Sequence, residues 1–124
     1  MGTFRVPCVV QNHVRRDRQE RVPGLLVDTG SECTWIPRAV LERIGVRPEK
    51  RISFRMVDGR VIARDVGYAL VRAAGRVTTD EVVFATPRDI PILGARTLEG
   101  LNVRVDAARK RLVASGPMPA AGAA

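Results

Sequence analysis

The stretch Leu25-Leu26-Val27-Asp28-Thr29-Gly30-Ser31 constrains this chain more than any other. Three apolar side chains run directly into a carboxylate, a hydroxyl, a glycine and a second hydroxyl. The apolar run reads as a buried strand, and the glycine permits a tight turn with close backbone approach. A carboxylate at the end of a buried strand is costly unless something pairs with it. Asp28 is therefore either a structural cap, closing an Asx-turn onto its own downstream backbone, or a group that chemistry requires at that place.

At 124 residues the chain has room for one domain with a modest core. Apolar residues make up 45% of it, which excludes a disordered chain. The aromatics are few, only Phe4, Trp35, Phe54, Tyr68 and Phe84. Val, Ile and Leu must carry the core, which favours a β-rich fold. The expected architecture is all-β: a closed, barrel-like domain over residues 1–115 with one or two short helices. Residues 116–124 are low in complexity and are expected to form a disordered tail.

Along the chain, residues 3–10 read as a first strand, 11–22 as a charged turn region, and 25–28 as the strand carrying the motif. Residues 33–36 are β-prone, Pro37 suits a helix first turn, and Val40, Leu41 and Ile44 share one helical face that Gly45 ends. Ile52, Phe54 and Met56 alternate with polar residues up to Asp58-Gly59, and Arg60-Val61-Ile62 follow, so this segment reads as a hairpin with a type I′ turn. Val66, Tyr68 and Leu70 share a strand face, Gly75 turns the chain, and Val77 and Val82-Val83-Phe84 form a further strand. Residues 101–106 and 110–114 read as a terminal hairpin.

Composition also limits function. Cys8 and Cys33 have neither metal-ligand spacing nor a disulfide framework, and read as buried free thiols in a reducing compartment. The N-terminus lacks a signal-peptide h-region, and no apolar run is long enough to span a bilayer, so the expectation is a cytoplasmic protein without membrane contact. The net charge of +8 raises nucleic-acid binding. The arginines are scattered, however, and their one cluster, Arg15-Arg16-Asp17-Arg18 with Arg21, has no interleaved aromatic platform, so no nucleic-acid partner is expected. His13 sits in a charged loop with no Ser or Cys partner pattern. Trp35 reads as core or as the wall of a binding subsite.

The Asp28-Thr29-Gly30-Ser31 motif is answered downstream by Ile90-Pro91-Ile92-Leu93-Gly94, with a short helix expected over 95–101. Together these residues resemble the retropepsin-like (single-domain, bacterial-type) aspartic protease family, over roughly residues 5–114. The resemblance implies a closed acid-protease barrel and a homodimeric aspartic endopeptidase that acts on peptide or protein substrates without metal or cofactor. It makes Asp28 the catalytic carboxylate. Thr29 would bond across the dimer, Gly30 would bring its backbone close to the carboxylate, and Ser31 would donate to the outer oxygen of Asp28. Ile92, Leu93 and Gly94 would pack under the loop, and Val57, Asp58 and Gly59 would form a flap that closes over substrate. Glu32 and Arg96 are candidates for an ion pair, by analogy with an Asp and Arg pair in retroviral proteases. Three features depart from those enzymes: a short, charged flap, Ala95 where an Arg follows the Gly, and a terminal hairpin in place of one strand.

Carboxylate-driven peptide hydrolysis needs two carboxyl groups about one water, one ionised and one protonated. Asp-Thr-Gly occurs once here, and a residue on a two-fold axis meets its own copy. The resemblance thus implies an Asp28 pair shared between two chains. The alternatives are a non-catalytic peptide-binding or dimerisation module on the same fold, and a basic nucleic-acid binder.

Overall fold

A computed structural model describes residues 3–122. Met1, Gly2, Ala123 and Ala124 lie outside the described residues, and with them both ends of the expected domain and tail. The elements follow in the order β1 (Arg5–Gln11), β2 (Gln19–Val27), β3 (Thr34–Pro37), α1 (Arg38–Arg43), β4 (Lys50–Arg55), β5 (Val61–Ala73), β6 (Arg76–Ala85), β7 (Ile92–Leu93), α2 (Ala95–Gly100), β8 (Val103–Asp106) and β9 (Arg111–Ala114). Residues 115–122 belong to no strand or helix. Among the described residues, no helix is long and apolar enough to cross a membrane.

The main sheet has the order β1-β2-β7-β3-β6-β5-β4, and β1 also pairs with β5. That second pairing closes β1, β2, β7, β3, β6 and β5 into a ring, with β4 attached to β5 outside it. The closed, mostly β barrel expected from composition is the one observed. Hydrogen bonding around the ring removes its free edges. The hairpin β8–β9 forms a separate two-stranded sheet.

The barrel interior is filled by Val10, Leu25, Ile36, Leu41, Phe84, Leu93 and Leu101, all almost fully buried. Burying side chains of this size contributes about 1.5–3 kcal/mol each. A smaller apolar cluster, Cys33, Trp35, Val66, Val83 and Ala85, lies beneath the β4–β5 hairpin and packs against Ile52, Phe54, Ile62 and Ile92. Trp35 belongs to this cluster, with its ring 5.0 Å from that of Phe54, so within one chain it is core.

Local details correct the sequence reading in places. The second strand begins at Gln19, well inside the expected turn region, and runs through Pro23-Gly24. A register shift between Val6 and Cys8 sets Pro7 opposite Pro23 and Gly24, and such a bulge frees prolines from ladder bonds they cannot make. Pro37 precedes α1 as its N-cap rather than lying in its first turn, and Gly45 ends the helix at φ +78. At the β4–β5 tip only Gly59 has a positive φ, and Gly59 N–H donates to Met56 O while Met56 N–H donates to Arg60 O. The turn is therefore type I with a glycine bulge rather than type I′. Two successive positive φ angles occur instead at Ala74 and Gly75, where β5 turns into β6. Residues 66–73 of β5 pair with 76–83 of β6, and residues 76–85 are one strand.

Candidate active site

The motif loop hangs from β2 and returns through β3, and β7 lies between the two. Leu26 and Val27 pair in parallel with Ile92 and Leu93, and Ile92 pairs antiparallel with Trp35. Asp28 is the first residue beyond β2, and its N–H donates to Leu93 O at 3.1 Å. The short Ile-Leu run is thus the physical floor that sets where the carboxylate emerges.

Gly94 closes the arrangement. A Cβ on it would lie 2.5 Å from the carbonyl carbon of Cys33 and 2.9 Å from Ser31 O, so only glycine fits. Past Gly94 the first turn of α2 catches the loop: Ala95 N–H donates to Ser31 O at 2.7 Å and Arg96 N–H to Glu32 O at 3.1 Å. Helix and loop are locked through backbone hydrogen bonds.

Within the loop, Gly30 N–H donates to Asp28 Oδ1 at 2.9 Å, and Ser31 N–H donates to Asp28 O at 3.2 Å. Gly30 does bring its backbone to the carboxylate. Ser31 differs from expectation: its hydroxyl donates to Cys33 O at 3.0 Å and not to Asp28. That bond braces the loop's own return into β3. Asp28 is half-buried, while Thr29 and Gly30 are exposed at the loop tip.

Behind the loop lies a buried polar relay absent from the sequence reading. Gly94 N–H donates to Thr34 Oγ1 at 3.0 Å. Thr34 Oγ1 and Thr97 Oγ1 are 2.5 Å apart, and Thr97 Oγ1 donates to Asp80 Oδ2 at 3.0 Å. Thr97 spends its proton on Asp80, so Thr34 donates to Thr97. Both threonines are fully buried. The two threonines are 63 positions apart, and no local pattern in the sequence pairs them.

A second, outer layer is ionic. Arg96 Nη1 is 3.0 Å from Glu81 Oε1, and Arg96 Nε is 3.5 Å from Glu32 Oε2. The candidate Glu32–Arg96 pair therefore forms despite Ala95. Burial raises the Cys33 thiol beside this layer, and the Arg96 charge partly offsets it.

Val57, Asp58 and Gly59 lie at the exposed tip of the β4–β5 hairpin. Asp58 accepts from Arg60 N–H at 3.0 Å and from Arg60 Nε at 2.7 Å, bonds that stiffen the turn and hold the Asp58 carboxyl below its ordinary range. The apolar side chains of Phe54 and Ile62 face the cluster around Trp35. His13 lies far along the chain from the loop, exposed on the rim of a cavity of about 680 Å³ with Arg15, Arg47 and Tyr68. Among the described residues no group of His, Cys, Asp and Glu is arranged to hold a metal ion.

A closed barrel that presents an Asp-Thr-Gly loop over an inserted Leu-Gly strand defines a protein of the acid-protease type. The family model described as "Aspartyl protease" matches residues 6–101. The chain belongs to this aspartyl protease family, and its fold is the retropepsin-like barrel. Its structure is similar to the solution structure of the simian foamy virus (mac) protease, with a TM-score of 0.51 and 21% identity, over 77% of this chain and 91% of that one. No curated protein matches the sequence.

Proposed function

We propose that the protein is a homodimeric aspartic endopeptidase in which the Asp28 carboxylates of two chains share one water. The observation that carries this reading is the setting of Asp28: a half-buried residue whose backbone N–H is held by Leu93 O and whose carboxylate Oδ1 accepts from Gly30 N–H. No hydrogen bond to its Oδ2 forms among the described residues. The Gly30 bond closes the Asx-turn that a structural cap also makes, so it is the family match over this motif that favours chemistry. Here one oxygen orients the group and the other is left for chemistry.

The chain has a single Asp-Thr-Gly, so the second carboxyl comes from a second copy. Two carboxyls about 3 Å apart cannot both ionise, and they share a proton. The ionised member takes a proton from water as its oxygen attacks the peptide carbonyl. The protonated member donates to the carbonyl oxygen. On collapse the C–N bond breaks and the amine leaves with a proton from the dyad. In this reading Thr29, exposed at the loop tip, bonds its symmetry mate. The β4–β5 hairpin, with Val57, Asp58 and Gly59 at its tip, acts as the flap over an extended peptide.

The test is cleavage of a diverse peptide pool across pH by wild type and Asp28→Asn, at high protein concentration and along a dilution series. Cleavage that disappears in the variant, with activity per chain that falls as dimers dissociate, is the expected result. Intact peptides with wild type would return the protein to the binding-module reading. Constant activity per chain among proven monomers would refute the shared site.

A further inference from the structure

Four charges run outward from the motif loop and cross three further elements. Glu32 on the loop meets Arg96 on α2, and Arg96 meets Glu81 Oε1 on β6. The other oxygen of Glu81, Oε2, is enclosed and accepts no well-formed hydrogen bond; the ammonium of Lys50 is its ion-pair partner. Lys50 is the first residue of β4, the outer strand of the β4–β5 hairpin, and its ammonium also lies 5.7 Å from the Tyr68 ring. Glu81 is thus the shared member, with one oxygen toward the hairpin root and the other toward the loop.

This matters because β4 has backbone bonds on one side only, to β5. Its attachment to the barrel must come from side chains. Phe54 supplies an apolar contact on Trp35. Of the two ion pairs on β4, Arg51 bonds Asp65 within the same hairpin, and Lys50 alone reaches β6. Isolated surface pairs are weak, but a carboxylate shared between two cations with one oxygen enclosed is sensitive to loss of either partner.

We propose that Glu81 is a positioning residue that couples the flap to the catalytic loop. Holding Lys50 and Arg96 at once, it sets the seat of the flap root relative to Asp28, and with it the affinity for substrate. Glu81 does not touch the reacting atoms. The proposal rests on the proteolytic reading of Asp28.

The test uses the full chain with Glu81→Gln, Lys50→Met and Lys50→Arg. In hydrogen exchange, Glu81→Gln is expected to lose protection in β4 and in residues 31–34 together, with β1 and β2 unchanged. With a cleaved peptide, Glu81→Gln and Lys50→Met are expected to raise KM about three- to tenfold with kcat nearly constant, and Lys50→Arg to stay near wild type. Salt should bring the wild-type KM toward that of Glu81→Gln, because Lys50 and Arg96 are both solvent-accessible. Unchanged exchange and KM would overturn the proposal, as would loss of protection in only one of the two segments. A fall in kcat that simply follows lost folded protein would overturn it too. If wild type cleaves nothing, the proteolytic reading fails, and the exchange result still decides whether Glu81 joins hairpin and loop.

Discussion

The hydroxyl of Thr97 lies 2.5 Å from that of Thr34, 63 positions earlier in the chain, and both are sealed from solvent. Between them they join the Gly94 N–H at one end to the Asp80 carboxylate at the other. Every donor in this line has an acceptor, so a buried polar row becomes a brace under the motif loop.

Thr34→Val should therefore destabilise well beyond its small change in shape. It removes the acceptor for Gly94 and the donor to Thr97, at about 1–3 kcal/mol for each buried group left unpaired. Thermal denaturation should show Tm lower by roughly 5–15 °C. Thr34→Ser keeps the hydroxyl and should lose far less. Equal Tm values for the two variants would show that the relay contributes nothing.

Gly94→Ala tests the close approach of backbone to loop. The new methyl must displace Cys33 and Ser31, and Ser31 is itself held by α2. A loss of about 3 kcal/mol or more, or failure to accumulate folded protein, is expected. Gly24→Ala is the control, because its nearest contact would be 3.4 Å, on the flexible Arg5 side chain. Chemical denaturation of both variants makes the comparison.

Asp89 predicts a pH dependence of stability. Its carboxylate receives Arg64 Nε and Nη2 at 2.8 and 2.9 Å, and also accepts from Thr86 N–H and Oγ1. The Arg64 bonds hold its carboxyl below the usual carboxylate range. A depressed folded pKa contributes stability above the ordinary Asp value near 3.9, and that contribution is lost as pH falls through the folded value. Wild-type Tm should drop steeply below about pH 4. Asp89→Asn should be less stable at neutral pH and show a flatter acid limb.

Ala74 holds φ +53 next to Gly75, in the turn where Asn-Gly is preferred. Ala74→Asn should raise stability by about 0.5–1 kcal/mol by relieving left-handed strain. The urea midpoint should rise with its slope unchanged.

Cys8 and Cys33 are both buried and unpaired. Burial pushes the Cys8 thiol up to about 12 and raises that of Cys33. Neither should react with iodoacetamide in native protein at neutral pH, and both should react in denaturant, as read by mass spectrometry.

Much of this was legible because it is local. The Leu-Leu-Val run, the Asp-Thr-Gly-Ser turn, α1 and the two later hairpins announce themselves within a few residues. The Ile-Leu-Gly segment was legible only through its resemblance to a known family. Errors fell where a partner strand overrode a local signal. Gln19 to Val22 look like loop, yet β1 recruits them into β2. Asp58-Gly59 looks like a type I′ turn, yet the Asp58–Arg60 bonds accompany a different one.

By itself the sequence determined a β-rich domain and the chemistry available at one loop, because side-chain type and short-range geometry depend only on neighbours in the chain. Tertiary structure alone decided that β1 and β5 close the ring, and that Thr34, Thr97, Asp80, Glu81 and Lys50 converge behind the site. Those contacts join residues far apart in sequence, and each exists only once the barrel has brought its strands together.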